Sequence, residues 1–169
     1  MMVCFLTECI YKHYNLRKST FVSKEYQNVM AQVGLLEDNS RIAKLCAMIL
    51  QYAGHQVFIY EHPQACLDAL LPAALPRSNK QTKVVPGTSP VDVLILDLHL
   101  PDITGLDVLR SLSSHPTTRS LPLICCTAAT TAEISRAHSI APNAFFIEKP
   151  FTYQDLISAV ASVLGLPNA

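Results

Sequence analysis

The sequence predicts an α/β fold in which helices cover both faces of a doubly wound, five-stranded parallel sheet. Three observations lead to this fold class. Half of the 169 residues are hydrophobic and 15% are charged, a composition typical of a domain with a large core. Short apolar segments alternate with amphipathic segments five times after residue 30. The third apolar segment is almost continuously apolar, as in strands that are covered on both faces.

The five predicted strands are short and rich in aliphatic, β-branched or aromatic residues. They are "QVGLL" (32–36), "QVFIYE" (56–61), "VDVLIL" (91–96), "PLICCT" (122–127) and "AFFIE" (144–148). Each is followed by a segment with helical periodicity or composition, and we expect helices over about 40–52, 64–75, 105–113, 131–140 and 153–165. Asn39 or Ser40 is the expected N-cap of the first helix, and Gly54 is its expected end.

Two segments stand apart from this alternation. Residues 1–29 show no clean period, and we predict an N-terminal extension that is poorly ordered or, if translation starts at Met30, never made. The alternative is an arm that binds a partner. Residues 75–90 contain three prolines and several polar residues, which predicts an extended surface loop within a domain spanning 30–169. The alternative for this loop is a partner contact through its basic residues.

Composition disfavours several classes of function. The formal net charge is zero, so no field attracts nucleic acid or an acidic membrane. No apolar run approaches the roughly 18 residues of a membrane span. Six cysteines occur without a C-x-x-C pair, and we interpret them as core residues in a reducing cytoplasm, with a disulfide framework as the alternative. The adjacent Cys125 and Cys126 are expected to point to opposite faces of one strand.

Polar side chains follow four of the predicted strands. They are Glu37-Asp38, Asp97, Thr127-Ala128 and Glu148-Lys149-Pro150. The carboxyl ends of parallel strands meet at one edge of the sheet, where ligands bind. Clustered carboxylates repel one another unless a cation lies among them, and oxygen ligands without histidine or cysteine suit Mg²⁺ or Mn²⁺. A carboxylate beside such an ion, opposite an ammonium and a hydroxyl, predicts a phosphoryl-transfer site.

Four motifs carry a family resemblance. They are "LLEDN" (35–39), "LILDLHLPDITGLDVL" (94–109), "ICCTA" (124–128) and "FFIEKPF" (145–151), with thirty positions from Asp97 to Thr127 and twenty-two from Thr127 to Lys149. With these motifs in this order, the chain from Met30 onward resembles a response-regulator receiver domain of two-component signalling. The resemblance implies a flavodoxin-like strand order, 2-1-3-4-5.

The resemblance implies a phosphoacceptor beside a metal site. Asp97 would accept a phosphoryl group from a histidine kinase or a phosphotransfer protein. Asp38 would bind Mg²⁺ directly, Glu37 would hold it through water, and Asp97 and the backbone carbonyl of His99 would complete the protein ligands. The pair Glu37-Asp38 replaces the two aspartates that are common in the family, and it keeps their charge.

The resemblance also implies how the phosphoryl group would be bound and sensed. Thr127 and the backbone amide of Ala128 would contact it, and Lys149 would pair with it, next to a cis peptide bond at Lys149-Pro150. Phe146 occupies the family's switch-aromatic position but lacks a tyrosine hydroxyl, so it would act through packing alone.

One residue near Asp97 is not explained by the general pattern. His99 lies two residues after the phosphoacceptor, and Ala129 lies two residues after Thr127. We hypothesise that the pair tunes the lifetime of the phosphoryl group by controlling the access of water.

These inferences predict a stand-alone, cytoplasmic receiver in a phosphorelay. Phosphorylation would switch the surface of helix four, strand five and helix five for a downstream protein partner or a homodimer. No direct contact with nucleic acid or membrane is expected, and only 166–169 follow the last helix. One alternative is an interaction module of the same fold that works without phosphorylation. The other is a Mg²⁺-dependent phosphohydrolase, but His99 stands where such enzymes usually have a second acid.

Overall fold

The computed structural model describes residues 30–71, 89–101, 103–128 and 130–166. Within these ranges five strands alternate with five helices, as predicted. The strands are β1 (Gln32–Leu36), β2 (Gln56–Tyr60), β3 (Val93–Asp97), β4 (Leu123–Thr127) and β5 (Phe145–Glu148). The helices are α1 (Ser40–Tyr52), α2 (Pro63–Leu70), α3 (Gly105–Ser114), α4 (Thr131–Ile140) and α5 (Tyr153–Val163).

The five strands form one parallel sheet in the order β2-β1-β3-β4-β5. This confirms the flavodoxin-like order 2-1-3-4-5. The order reverses between β1 and β3, which pair from Val33 opposite Val93 to Leu36 opposite Leu96. In open α/β sheets the crevice at such a reversal is the usual ligand site. The polar residues that follow β1 and β3 therefore flank the expected site.

Each face of the sheet has its own apolar core. Residues of α1 and α5 pack on one face, and residues of α2, α3 and α4 pack on the other. Cys125 belongs to the second core and Cys126 to the first, so these adjacent residues do point to opposite faces. All four cysteines within the described ranges are free and buried, which agrees with their interpretation as core residues.

Capping interactions set the position of α1. The Asn39 side chain accepts hydrogen bonds from the backbone N–H groups of Arg41 and Ile42 at 3.1 and 3.3 Å, which confirms the predicted N-cap. The helix ends before Gly54, whose φ of +93° is a conformation that glycine adopts readily. Asn39, which caps α1, follows Glu37 by two residues, so the start of the helix lies next to the predicted site.

Some predicted boundaries differ from the structure. The second helix ends at Leu70, not at 75, because Leu71 is extended and precedes Pro72, and a residue before proline disfavours the helical region. β3 begins at Val93 and includes Asp97. The extension 1–29 and most of the loop 75–90 lie outside the described residues. In the part of the chain that is described, no helix has the length and apolar character to span a membrane.

Candidate functional site at the carboxyl edge of the sheet

β3 carries Asp97 into the site from the middle of the sheet. Its five residues are all buried, and the Asp97 side chain ends the strand with only 6% of the residue exposed. The carboxylate atom Oδ1 accepts a hydrogen bond of 2.9 Å from the backbone N–H of His99. One carboxylate oxygen is thus fixed by the loop after β3, and the other faces the neighbouring strand ends.

β1 places Glu37 beside Asp97. The Glu37 backbone N–H donates to the carbonyl of Tyr60 at 3.2 Å, which extends the pairing of β1 with β2 by one residue. Its Oε1 atom accepts a 3.2 Å bond from the N–H of Asn39. Glu37 is 4% exposed, whereas the next residue, Asp38, is exposed. The two predicted metal ligands of this loop therefore lie in different environments.

Lys149 joins the two buried carboxylates. Its Nζ atom donates to Oδ2 of Asp97 at 2.5 Å and to Oε2 of Glu37 at 3.0 Å. The backbone N–H of Lys149 donates to the carbonyl of Thr127 at 2.8 Å. The Lys149-Pro150 peptide bond is cis, as predicted. Residues at or directly after the ends of β1, β3 and β5 therefore meet in one ion-paired cluster, and the backbone of β4 holds Lys149 beside them.

Burial and charge act in opposite directions on this cluster. Burial raises the pKa of the Glu37 carboxyl, and the nearby Lys149 ammonium offsets part of that rise. Burial by itself would lower the pKa of Lys149, but its hydrogen bonds and ion pairs with Asp97 and Glu37 outweigh burial, so the pKa is raised. The lysine is consequently a fixed positive charge next to Asp97 at physiological pH.

The acidic residues are close enough to share a cation. Carboxylate oxygens of Glu37, Asp38 and Asp97 lie within 4.8 Å of one another. All three ligands are oxygen atoms, and Asp38 opens to solvent, so that a bound ion could keep several waters. This donor set fits Mg²⁺, which prefers a few carboxylates together with water. The side chain of His99, whose carbonyl was predicted as a further ligand, is at the exposed rim.

The remaining predicted residues border the same edge. Thr127 ends β4 and is 1% exposed, and Ala128 follows it at the surface. Phe146 lies on β5, half-buried against the core on the face of α4. Ala129, which was paired with His99 in the hypothesis on phosphoryl lifetime, lies outside the described residues. The structure thus brings Glu37, Asp38, Asp97 and Lys149 together, with Thr127 at the adjacent strand end, whereas Phe146 lies two residues before the end of β5.

Gly105 has a role that sequence reasoning captured only in part. It begins α3, as the predicted helix 105–113 implies, but its close approach to the site was not predicted. A Cβ atom at this position would lie 2.5 Å from Cα of Leu98 and 2.7 Å from the carbonyl oxygen of Asp97. The N–H of Gly105 also donates to the carbonyl of Leu98 at 3.2 Å. The one available signal is a glycine directly after a helix cap, Thr104, where other residues are preferred.

Comparisons with known proteins agree with this geometry. Residues 33–161 match the family model of the response regulator receiver domain. The chain is 32% identical over 134 residues to the transcriptional regulatory protein CreB of Escherichia coli, covering 78% of the chain and 50% of CreB. A second relative, ArlR of Staphylococcus epidermidis, is 27% identical and is covered to 53%. The chain therefore spans about half the length of these curated relatives.

Solved structures share the fold. A response regulator from Chloroflexus aurantiacus has a TM-score of 0.65 at 21% identity, with 81% of this chain and 99% of that chain covered. The receiver domain of a sensor histidine kinase from Pseudomonas aeruginosa, solved with a magnesium ion in its active-site cleft, has a TM-score of 0.63 at 20% identity, with 81% and 99% covered. Together, the strand order, the acidic cluster and the family match over residues 33–161 establish that this chain belongs to the response regulator receiver domain family.

Proposed function

We propose that the chain is a phosphoacceptor in a two-component phosphorelay and that Asp97 is the residue phosphorylated. The observation that carries the proposal is the position of the Asp97 carboxylate, which is buried at the end of β3 and contacts Lys149 within 4.8 Å of two other acids. A carboxylate in this setting is fixed for attack, and the surrounding charges can balance those of a phosphoryl group.

In the proposed transfer, one Asp97 oxygen attacks phosphorus and forms an acyl phosphate. The bond between phosphorus and the donor's imidazole nitrogen breaks, and that nitrogen keeps the electron pair. Lys149 is already 2.5 Å from Oδ2 of Asp97, so its ammonium can pair with the incoming phosphoryl oxygens. Thr127 and the amide of Ala128 stand at the end of the adjacent strand, where they can hydrogen-bond the same group.

Mg²⁺ is the proposed cofactor. Bound by Asp38, Asp97 and the His99 carbonyl, with Glu37 acting through water, it would neutralise charge on the transferring group. The donor chemistry of the cluster and the magnesium ion in the related Pseudomonas structure support this assignment. Without a cation, three carboxylates and one lysine leave a net negative site, which disfavours the approach of a phosphoryl donor.

The proposed output is a change in the surface formed by α4, β5 and α5. A histidine kinase or phosphotransfer protein would be the donor, and a downstream protein, or a second copy of the chain, would read the changed surface. We propose a cytoplasmic location, which the four buried, free thiols support because reducing conditions keep cysteines unpaired. A phosphoryl group adds about two negative charges, enough to shift a two-state surface.

The proposal is tested by incubating the chain with acetyl phosphate and measuring its intact mass. We expect one added phosphoryl group in the presence of Mg²⁺ and none with a chelator or in Asp97→Asn. Asp68→Asn is the matched control, because Asp68 is an exposed aspartate on α2, away from the cluster, and should label like wild type.

Two other outcomes would replace this function. Absence of labelling in wild type, with intact fold, would favour an interaction module that works without phosphorylation. Continued release of phosphate from many donor molecules per chain, dependent on Asp97, would favour a phosphohydrolase.

A further inference from the structure

A ring contact joins α4 to β5 at Phe146. The imidazole of His138, in the last turn of α4, stacks on the Phe146 ring with 5.8 Å between ring centroids and 10° between ring planes. Aromatic pairs at this separation contribute stability beyond the area that they bury. His138 is exposed and Phe146 is half-buried against the core on that face. The stack therefore joins an exposed imidazole to a half-buried phenyl ring.

The same strand connects Phe146 to the acidic cluster. Phe146 lies opposite Cys125 in the β4–β5 register, and two residues further along Glu148 lies opposite Thr127. The next residue, Lys149, donates its backbone N–H to Thr127 and its ammonium to Asp97. A shift of the Phe146 backbone or ring is thus tied through a short, hydrogen-bonded segment to the groups around Asp97.

In the same structure as the stack, the acidic cluster is in its directly ion-paired arrangement. Lys149 contacts the carboxylate oxygens of Asp97 and Glu37 directly, which is the pairing that an unmodified Asp97 permits. A phosphoryl group on Asp97 would add about two negative charges and place its own oxygens beside the ammonium, so this pairing would have to rearrange. Phe146 has no hydroxyl that could form a hydrogen bond when the cluster rearranges. Its ring does contact α4, by stacking on the imidazole of His138.

We propose that His138 is a positioning residue that holds Phe146 in the orientation accompanying the direct Lys149–Asp97 ion pair, and so opposes activation. This inference rests on the proposed phosphoacceptor function. A contact made in only one of two conformations must weaken any ligand that selects the other, by the same free energy. Removing the imidazole should therefore strengthen binding of a phosphoryl analogue at Asp97, although His138 itself does not touch that site.

The first test measures the affinity of the full chain for beryllofluoride, a phosphoryl analogue, in the presence of Mg²⁺. Loss of the stack in His138→Ala should tighten binding about two- to tenfold, the range that corresponds to one aromatic pair. His138→Phe restores a ring and should return the affinity to within about twofold of wild type. Arg136→Ala is the control, since it truncates another exposed basic residue of α4 and should leave affinity unchanged. Equal affinities for His138→Ala and wild type, or the same change in Arg136→Ala, would overturn the inference.

The second test follows the His138 ring by NMR in the wild-type chain as beryllofluoride is added. The Phe146→Leu spectrum gives the signal positions of an unstacked imidazole. We expect saturating beryllofluoride to move the wild-type ring-proton signals toward those positions. If the backbone amides of Thr127 and Ala128 shift but the His138 signals stay in place, this inference is wrong and the phosphoacceptor function stands. If neither set shifts, both are wrong.

Discussion

Gly105 shows how a residue without a side chain can define a functional site. Its Cα lies so close to the end of β3 that an added methyl group would meet the backbone at Leu98 and the carbonyl of Asp97. These neighbours are buried backbone atoms at the end of β3 and in the residue that follows it, so they cannot rotate away as a flexible side chain would. The close packing of α3 against the strand end is therefore part of what fixes Asp97.

This close approach predicts that Gly105→Ala will harm both stability and phosphorylation. We expect the free energy of unfolding to fall by about 1–3 kcal/mol, the usual penalty for overpacking, and phosphoryl uptake from acetyl phosphate to slow. Urea unfolding and intact-mass kinetics measure the two effects. Ser114→Ala, at the exposed end of the same helix, should change neither. Unchanged stability in Gly105→Ala would show that the contact is not as close as described.

Glu37 gives the site a predictable dependence on pH. Burial raises its pKa above 4.5 in the folded chain, so the unfolded chain ionises first as the pH rises. The stability linked to neutral Glu37 is fully present below pH 4.5 and is lost as the pH rises through the raised pKa. Each unit by which the pKa is raised corresponds to about 1.4 kcal/mol.

Glu37→Gln should remove this loss. In magnesium-free buffer, the unfolding free energy of Glu37→Gln relative to wild type should increase with pH across the window above 4.5 and then level off. Urea unfolding at a series of pH values measures the difference. Glu61→Gln, which removes one negative charge from the exposed residue after β2, controls for the change in net charge. A difference that falls as the pH rises would contradict the assigned direction of the pKa shift.

Among the single elements, β4, α1 and α2 show how strongly burial raises the pKa of a cysteine thiol. All five of its residues are buried, and its two cysteines serve different cores. Burial raises the pKa of Cys125 to about 12, and that of Cys66 on α2 to the same value. Burial, reinforced by the charge of Glu37, raises the pKa of Cys46 to about 11. These thiols are therefore packing groups rather than nucleophiles.

The pKa values predict very slow thiol labelling. A rise from 9.0 to about 11 lowers the thiolate fraction of Cys46 at pH 8 about a hundredfold, before any effect of access is counted. In a Cys4→Ser/Cys9→Ser variant, labelling by an aromatic disulfide should be at least about a hundredfold slower in the folded chain than in urea. Fast labelling of the folded variant would show that the thiols of Cys46, Cys66, Cys125 and Cys126 are not all buried as described.

The sequence predicted elements better than contacts between them. All five strands were correct to within two residues because their apolar residues have few other places to go. The end of α2 was wrong, although Leu71 before Pro72 carried a local signal against a longer helix. The His138–Phe146 stack could not be predicted, because it depends on how α4 is rotated over β5, and α4 buries only Ala137.

At the scale of the whole molecule, the parallel topology assembles the site. Glu37, Asp97, Thr127 and Lys149 are far apart in sequence, yet each lies at or directly after the carboxyl end of a strand, so sheet formation brings them together. The convergence of these residues was therefore predictable from their positions at the strand ends. The ion pairs within the site were not predictable, because the contacts of Lys149 with Glu37 and Asp97 depend on distances that only the fold defines.

Mapping the position of the covalent phosphoryl group is the sharpest test of whether Asp97 is the residue phosphorylated. The chain is incubated with acetyl phosphate and Mg²⁺ and then reduced with borohydride, which converts an aspartyl phosphate to homoserine, and the peptides are mapped by mass spectrometry. We expect homoserine at position 97 alone, in the full chain and in a chain that begins at Met30. Homoserine at position 38, or no reduction product in a folded chain, would contradict it.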